Sequence, residues 1–384
     1  MRVVVCPDKF AGTLSAVDAA KAMADGWRRG APGDEVVTVP LSDGGPGFLD
    51  VLRAALGGRW VPVTTCDPLG RPVEGGVLLV DGDGAAPVAY VESAQACGLH
   101  LLSPAERDPK VTTSYGLGLL LTAAVEAGAR EVVVGLGGSA VNDAGAGMLA
   151  ALGAPVLDDA GYALPYGGAA LVAAAALDGV PRLRQASLVA ATDVDNPLLG
   201  DQGASAVFGP QKGATAEDVR LLDAALARFT EVLERDLPTC PPGLAGLPGA
   251  GAAGGLGAAL LALGGRRESG IELVRRLVGL DTVLDTADLV VTGEGSFDGQ
   301  SLRGKVVAGV ATAARQRGLP CLVMAGRVDV DPREAADAGV TATWSLVDHV
   351  GDERRALERP ADGLRGLAER AARQWSSASA ADRH

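Results

Sequence analysis

Acids, amides and lysines fall among glycines at five places where an apolar or β-branched run ends. Asp8 and Lys9 follow residues 3–6, and Asp43 follows residues 35–40. Ser139, Asn142 and Asp143 follow residues 132–134, while Asp193, Asp195 and Asn196 follow residues 188–191. Glu294, Asp298 and Lys305 follow residues 288–292. In open α/β sheets the carboxyl ends of strands are where ligands bind. The two carboxylates and the amide of TDVDN supply hard oxygen ligands for Mg²⁺, or a general base with an orienting partner; an Asx-rich turn is the bland alternative. Many acids with a few placed cations suit metal-assisted phosphoryl transfer, in which the protein positions two anions and neutralises developing charge.

Residues 131–152, EVVVGLGGSAVNDAGAGMLAAL, stand at the centre of this pattern. A strand, a loop holding Gly135, Gly137 and Gly138, and an Ala-rich helix together make anion-binding architecture. Glycines bring bare N–H groups close to a ligand, and the helix N-terminus adds partial positive charge. Ser139, Asn142 and Asp143 add side chains that orient a substrate or hold a metal ion, Asp143 ranking behind Asp193 and Asp195 as an Mg²⁺ ligand. GLGGSA also fits the dinucleotide fingerprint G-x-G-x-x-A, with Asp158 or Asp159 near the ~20-residue offset of a ribose-binding acid. On that alternative the chain is an NAD(P)-dependent oxidoreductase. Residues 299–305 match G-x-x-x-x-G-K, but Val306 stands where a P-loop needs Ser or Thr, so Walker A is rejected.

Lysine is scarce, five residues against 29 arginines, and Lys9, Lys212 and Lys305 lie in stretches crowded with Gly, Asp or Gln. That distribution points to work at a site. The net charge of −13 argues against nucleic acid or an anionic membrane as partner, because both need basic patches. Five scattered cysteines without a C-x-x-C pair fit a reducing cytosol. His100, His349 and His384 lie far apart in sequence, so neither a zinc motif nor a Ser/His triad is visible. With no signal peptide and no spanning stretch, the expectation is a soluble cytoplasmic protein.

The elements that must position these groups alternate. Strands are expected at residues 3–6, 35–40, 61–65, 76–80, 88–92, 132–134, 188–191, 288–292 and 321–325, with residues 346–349 closing the sheet. Helices are expected after the Ser15-x-x-Asp18 box, over residues 46–56 and 115–127, and after Thr215-x-x-Asp218. The alternation predicts an α/β fold with a parallel or mixed sheet, and the length suggests two or three domains. The small-residue stretch 249–263 reads as a loop entering a packed helix, and residues 376–384 as frayed. No internal repeat or linker is evident.

Taken together, VCPDKFAGTLSA, PLSDGGPG, TTSYGLG, GLGGSAVNDAGAGML, ATDVDNPLLG, GASAVFGPQKGAT, GAGAAGGLGAALLAL and VVTGEGSFDGQSLRGK resemble the glycerate kinase family of the bacterial glycerate 2-kinase type. They follow the family's order over nearly the whole chain. The resemblance implies ATP-dependent, Mg²⁺-assisted phosphorylation of D-glycerate to 2-phosphoglycerate by a cytoplasmic monomer or homodimer. It also implies two α/β domains with the active site in their cleft: a Rossmann-like one from residues 1–65 and 285–384, and an inserted one from residues 66–284. The family's site positions fall on Asp8, Asp43, Ser139, Asn142, Asp143, Asp193, Asp195, Asn196, Lys212, Glu294, Asp298 and Lys305. Lys9, Gly137 and Gly138 join them as phosphate or substrate contacts, and Asp193, Asp195 and Lys212 are the catalytic candidates. Three positions depart from common family patterns: D-S-F-K-G becomes Asp8-Lys9-Phe10-Ala11-Gly12, G-G-E-G-T becomes Gly44-Gly45-Pro46-Gly47-Phe48, and G-E-G-R becomes Gly293-Glu294-Gly295-Ser296. A kinase for another small hydroxy acid, or phosphorylation at the 3-position, therefore stays open.

Overall fold

The computed structural model of the protein describes residues 1–10, 12–82, 86–183, 186–302 and 305–381, with side chains of the last helix through residue 376. Ala11 lies outside the described residues. Eleven strands form the two main sheets: β1 (Arg2–Val5), β2 (Glu35–Thr38), β3 (Arg59–Cys66), β4 (Pro72–Val80), β5 (Val88–Glu92), β6 (Glu131–Gly135), β7 (Ser187–Ala191), β8 (Arg266–Glu268), β9 (Leu289–Thr292), β10 (Cys321–Ala325) and β11 (Ala342–Ser345). The chain divides into two compact units, residues 1–43 with 50–56 and 271–384, and residues 44–49 with 57–270. Residues 57–65, expected with the first domain, instead pair as β3 with β4 in the second unit's sheet.

In the first unit the sheet runs β11-β10-β9-β1-β2 and is parallel throughout. Its central strands are short apolar runs such as RVVV and LVVT, buried because helices cover the sheet. Helix Ala16–Gly30 begins at Ser15, whose side chain accepts from the Asp18 amide, as the capping box predicts. Its buried face, Ala20, Met23 and Trp27, packs with Leu364, Leu367 and Ala371 of helix Pro360–Ala381. The Ser376 hydroxyl donates to Asp34 at 2.8 Å and the helix runs to Ala381, so within the expected frayed stretch the residues up to 381 are helical; residues 382–384 lie outside the described residues.

Residues 346–349 are not a strand. Ser345 caps helix Leu346–Val350 through the Asp348 amide, and the sheet is closed by the preceding β11. The S-x-x-D pattern outweighs the short apolar run.

The second unit carries the order β8-β7-β6-β5-β4-β3, parallel from β8 to β5 and antiparallel from β5 to β3. Helix Tyr115–Glu126 packs on the sheet through Leu117, Leu120 and Leu121. Helix Ala216–Asp236 is capped by Thr215 with Asp218 and buries Leu222, Leu226 and Phe229 in a second cluster. The 249–263 stretch enters helix Ala252–Ala262 and packs on the central loop, where the Ala144 amide donates to the Gly254 carbonyl at 3.1 Å.

Candidate active site

Strand order points to a candidate site in the first unit. From β1 the chain goes to β2 on one side, and β9, β10 and β11 extend the sheet on the other. The reversal falls between β1 and β9, and a crevice outside the carboxyl ends of such a pair is where α/β sheets bind ligands. β1 and β9 stay joined past their last ladder residues: the Cys6 amide donates to Val291 and the Asp8 amide to Gly293, each at 2.8 Å. The Thr292 hydroxyl donates to the Cys6 carbonyl at 2.8 Å. Gly293 permits this turn, because a Cβ there would lie 2.0 Å from the Met324 carbonyl oxygen. The result is two buried carboxyl groups on adjacent strand extensions, Asp8 and Glu294.

Asp8 and Glu294 line a cavity of about 440 Å³, with Lys9, Asp43, Asp298 and Lys305 also on its wall. Six sequence-predicted residues thus meet at one place. Lys9 Nζ lies 3.8 Å from an oxygen of Asp8 and 3.8 Å from an oxygen of Asp43. Burial pushes the Asp8 carboxyl up to about 6, against the pull of Lys9 and with a further push from Asp43. Burial likewise pushes Glu294 up to about 7, with Asp8 adding to the rise and Lys305 opposing it. Glu294 Oε1 is buried and has no hydrogen-bond partner. A buried acceptor without a donor is costly, and a ligand hydroxyl would satisfy it. Asp298 accepts the Gln300 amide at 2.8 Å and so also closes its own turn.

Among the described residues no group of three or more His, Cys, Asp or Glu side chains converges to hold a metal ion. Mg²⁺ needs no such cage when it arrives with a nucleotide, since it keeps waters and takes one or two carboxylates plus phosphate oxygens. Asp8 and Asp43, gathered on Lys9, are a donor pair that fits this use.

The remaining predicted residues lie in the second unit. Asp143 is fully buried and accepts the Ser114 amide at 2.9 Å, the Ser114 hydroxyl at 2.8 Å, the Gly145 amide at 3.1 Å and the Gly147 amide at 3.2 Å. Its oxygens are engaged in holding the loop, which explains the residue without a metal. Lys212, also buried, donates to the Val141 carbonyl at 2.7 Å. Burial drives its pKa down to about 7, and nearby Asp143 opposes the fall. Asn142 donates to the Ser205 hydroxyl at 2.9 Å, leaving its buried Oδ1 without a partner.

The glycines of the central loop have a packing reason. A Cβ on Gly137 would lie 2.7 Å from Gly45 Cα, and one on Gly138 2.9 Å from the Pro46 ring. Glu92 fixes that neighbouring turn by accepting the Gly47 amide at 3.0 Å and the Leu49 amide at 3.3 Å. Ser139 pairs across to Gly98. Phe48, at one of the departing positions, is buried edge-on to Tyr90, with ring centroids 6.3 Å apart.

At the end of β7, Asp193 accepts a 2.6 Å hydrogen bond from Ser269, and Asp195 is 76 % exposed with Arg267 at 2.5 Å. Asn196 donates to the Gln202 carbonyl at 2.8 Å. Asp158 accepts the Ala160 and Tyr162 amides of its own turn, at 3.0 and 2.8 Å, which accounts for it without a ribose.

Sequence reasoning missed Arg327, Phe10 and the apolar residues 346–360 of the cavity wall. Arg327 follows β10 as the acids follow other strands, a positional signal that was readable. The apolar wall gave none, because Leu346 and Ala356 look like any core residue.

A parallel α/β unit with buried acids and lysines at its switch point is the architecture of a small-molecule enzyme. A model described as the glycerate kinase family matches residues 3–376. A glycerate kinase of Haemophilus influenzae is 40% identical over 97% of this chain and 98% of its own length. The glycerate 2-kinase of Escherichia coli K12 is 40% identical over 95% of each chain. A crystal structure from Salmonella typhimurium LT2 that carries the name glycerate kinase 2 superposes with a TM-score of 0.80 at 39% identity, covering 99% of both chains. The chain belongs to the glycerate kinase family and is an enzyme of the kinase class.

Proposed function

We propose that the protein transfers the γ-phosphoryl group of ATP to the 2-hydroxyl of D-glycerate, giving 2-phosphoglycerate and ADP. The observation that carries this reading is the cavity at the β1–β9 switch point, where Glu294 offers an unpartnered buried carboxyl oxygen beside Asp8, Lys9 and Lys305. The name of the Escherichia coli relative, glycerate 2-kinase, supports the 2-position.

A hydroxyl attacking phosphorus must lose its proton as the bond forms, and an acceptor whose pKa lies near the working pH does this best. Glu294, pushed up to about 7, meets that condition and has the free oxygen. Lys9 and Lys305 offset negative charge on the moving phosphoryl group and on the glycerate carboxylate. Mg²⁺, entering with the nucleotide onto Asp8 and Asp43, would neutralise phosphate charge. The buried Asp143–Ser114 and Lys212–Val141 bonds hold the second unit's central loop in shape.

Purified protein given ATP, Mg²⁺ and a panel of small hydroxy acids should form ADP fastest with D-glycerate. A panel in which another hydroxy acid is preferred by more than tenfold would reassign the acceptor. The Asp193→Asn variant serves as comparison for Glu294→Gln: loss of turnover in the former with near-normal turnover in the latter would move the proton-accepting role to Asp193.

A further inference from the structure

The switch-point cavity has a half that a three-carbon hydroxy acid leaves unused. Every carbon of glycerate bears oxygen, so the acceptor has no apolar face to bury. Yet Phe10, Leu346, Val347, Ala356, Leu357 and Pro360 make an apolar wall in the same cavity as the acids and lysines. At about 440 Å³ the cavity lies within the ~300–1,000 Å³ of clefts that bury drug-sized small molecules. Leu346 and Ala356 are 2 % and 4 % exposed and belong to the first unit's core, which makes the wall an ordered surface. Leu357, in helix Glu353–Glu358, is 58 % exposed, an aliphatic side chain left in water on the cavity wall.

The geometry points to an adenine subsite: we propose that the purine of ATP packs on Leu357, Pro360 and Val347, with the triphosphate running toward Lys9 and Lys305. This rests on the kinase reading above. Of the parts of the two substrates, only the purine has a flat, weakly hydrated face for such a wall; ribose, phosphates and glycerate are polar throughout. The 346–360 segment follows β11 directly, so the same cavity is lined by this apolar segment, by Lys9 beyond the end of β1 and by Lys305 at the start of the helix from Val306.

The test uses Leu357, whose exposure makes substitution cheap for folding. Leu357→Asp should raise the KM for ATP and the Kd for ADP, by calorimetry, at least tenfold, while the KM for D-glycerate and the thermal midpoint stay unchanged. Leu357→Trp, which preserves an apolar face, should hold both nucleotide constants within threefold of the native values. A raised KM for D-glycerate with unaltered nucleotide constants would overturn the subsite, as would no change in either. Saturation-transfer NMR on the adenine H2 and H8 protons of adenosine reads the subsite without turnover. If the protein lacks kinase activity but binds adenosine, and Leu357→Asp abolishes that binding, the subsite stands and the kinase reading falls. Adenosine that fails to bind the native protein, or that binds Leu357→Asp equally well, overturns the subsite.

Discussion

The Asp8 amide donates to the Gly293 carbonyl at 2.8 Å, past the last ladder residues of β1 and β9. That single bond carries the strand pairing into the loops and brings two carboxyl groups, 286 residues apart in sequence, onto one cavity wall. Burial raises both carboxyl groups; like charge from Asp8 adds to the rise at Glu294, and like charge from Asp43 adds to it at Asp8.

Glu294→Gln removes the proposed proton acceptor while keeping its shape. Turnover should fall by about 10²–10⁴, the usual contribution of a positioned base, with the KM for ATP little changed. The acid limb of the native kcat profile should lie near pH 7 and be absent in the variant. A native profile flat from pH 5 to 8 would contradict the role.

The same group predicts a stability effect. Its folded pKa, about 7, lies above its ordinary value of 4.5, so the folded state holds the proton longer and stability is lost as pH rises between those values. Glu294→Gln should therefore be more stable than the native protein at pH 8, by up to about 3 kcal/mol, and equal to it below pH 4. Thermal midpoints at the two pH values check this; a variant less stable at pH 8 would contradict it.

Lys212 runs the opposite way. Burial holds its folded pKa at about 7, below the ordinary 10.5, so the unfolded chain binds more protons between those values and this group's share of stability rises with pH there. Lys212→Met should flatten that rise, measured as the difference in unfolding midpoint between pH 7 and pH 9. An unchanged pH dependence would show that the native lysine is charged as buried.

Ser114 gives Asp143 both its amide and its hydroxyl. Ser114→Ala leaves a fully buried carboxyl group short of a donor and should cost about 1.5–3 kcal/mol, the range for hydrogen bonds to charged groups. Urea unfolding followed by a signal from the second unit should show a lower midpoint; no shift would mean that Asp143 is held without Ser114.

Much of the fold was legible because its strands are short, continuous apolar runs. Val88–Glu92 and Cys321–Ala325 match the sequence reading to the residue, the Thr215–Asp218 capping box forms as read, and Ser15 caps its helix through the Asp18 amide. Residues 346–349 failed because four apolar-rich residues carry no period, and only the S-x-x-D cap distinguishes helix from strand there. For the site, strand ends named Asp8, Lys9, Asp43, Glu294, Asp298 and Lys305, which the β1–β9 reversal collects. What the sequence hides is the use of each group: glycines 137 and 138 look like a phosphate cradle, yet Gly45 and Pro46 press on them. Close approach of two backbones leaves the same residues in a sequence as close approach of a ligand.

The central claim is phosphorylation of the glycerate 2-hydroxyl by ATP. The direct measurement is a phosphorus NMR spectrum of protein incubated with ATP, Mg²⁺ and D-glycerate. The expected result is loss of the γ-phosphate resonance and growth of 2-phosphoglycerate alone, slowed by about 10²–10⁴ in Glu294→Gln. A 3-phosphoglycerate signal would contradict the regiochemistry, and an unchanged ATP spectrum would contradict the function.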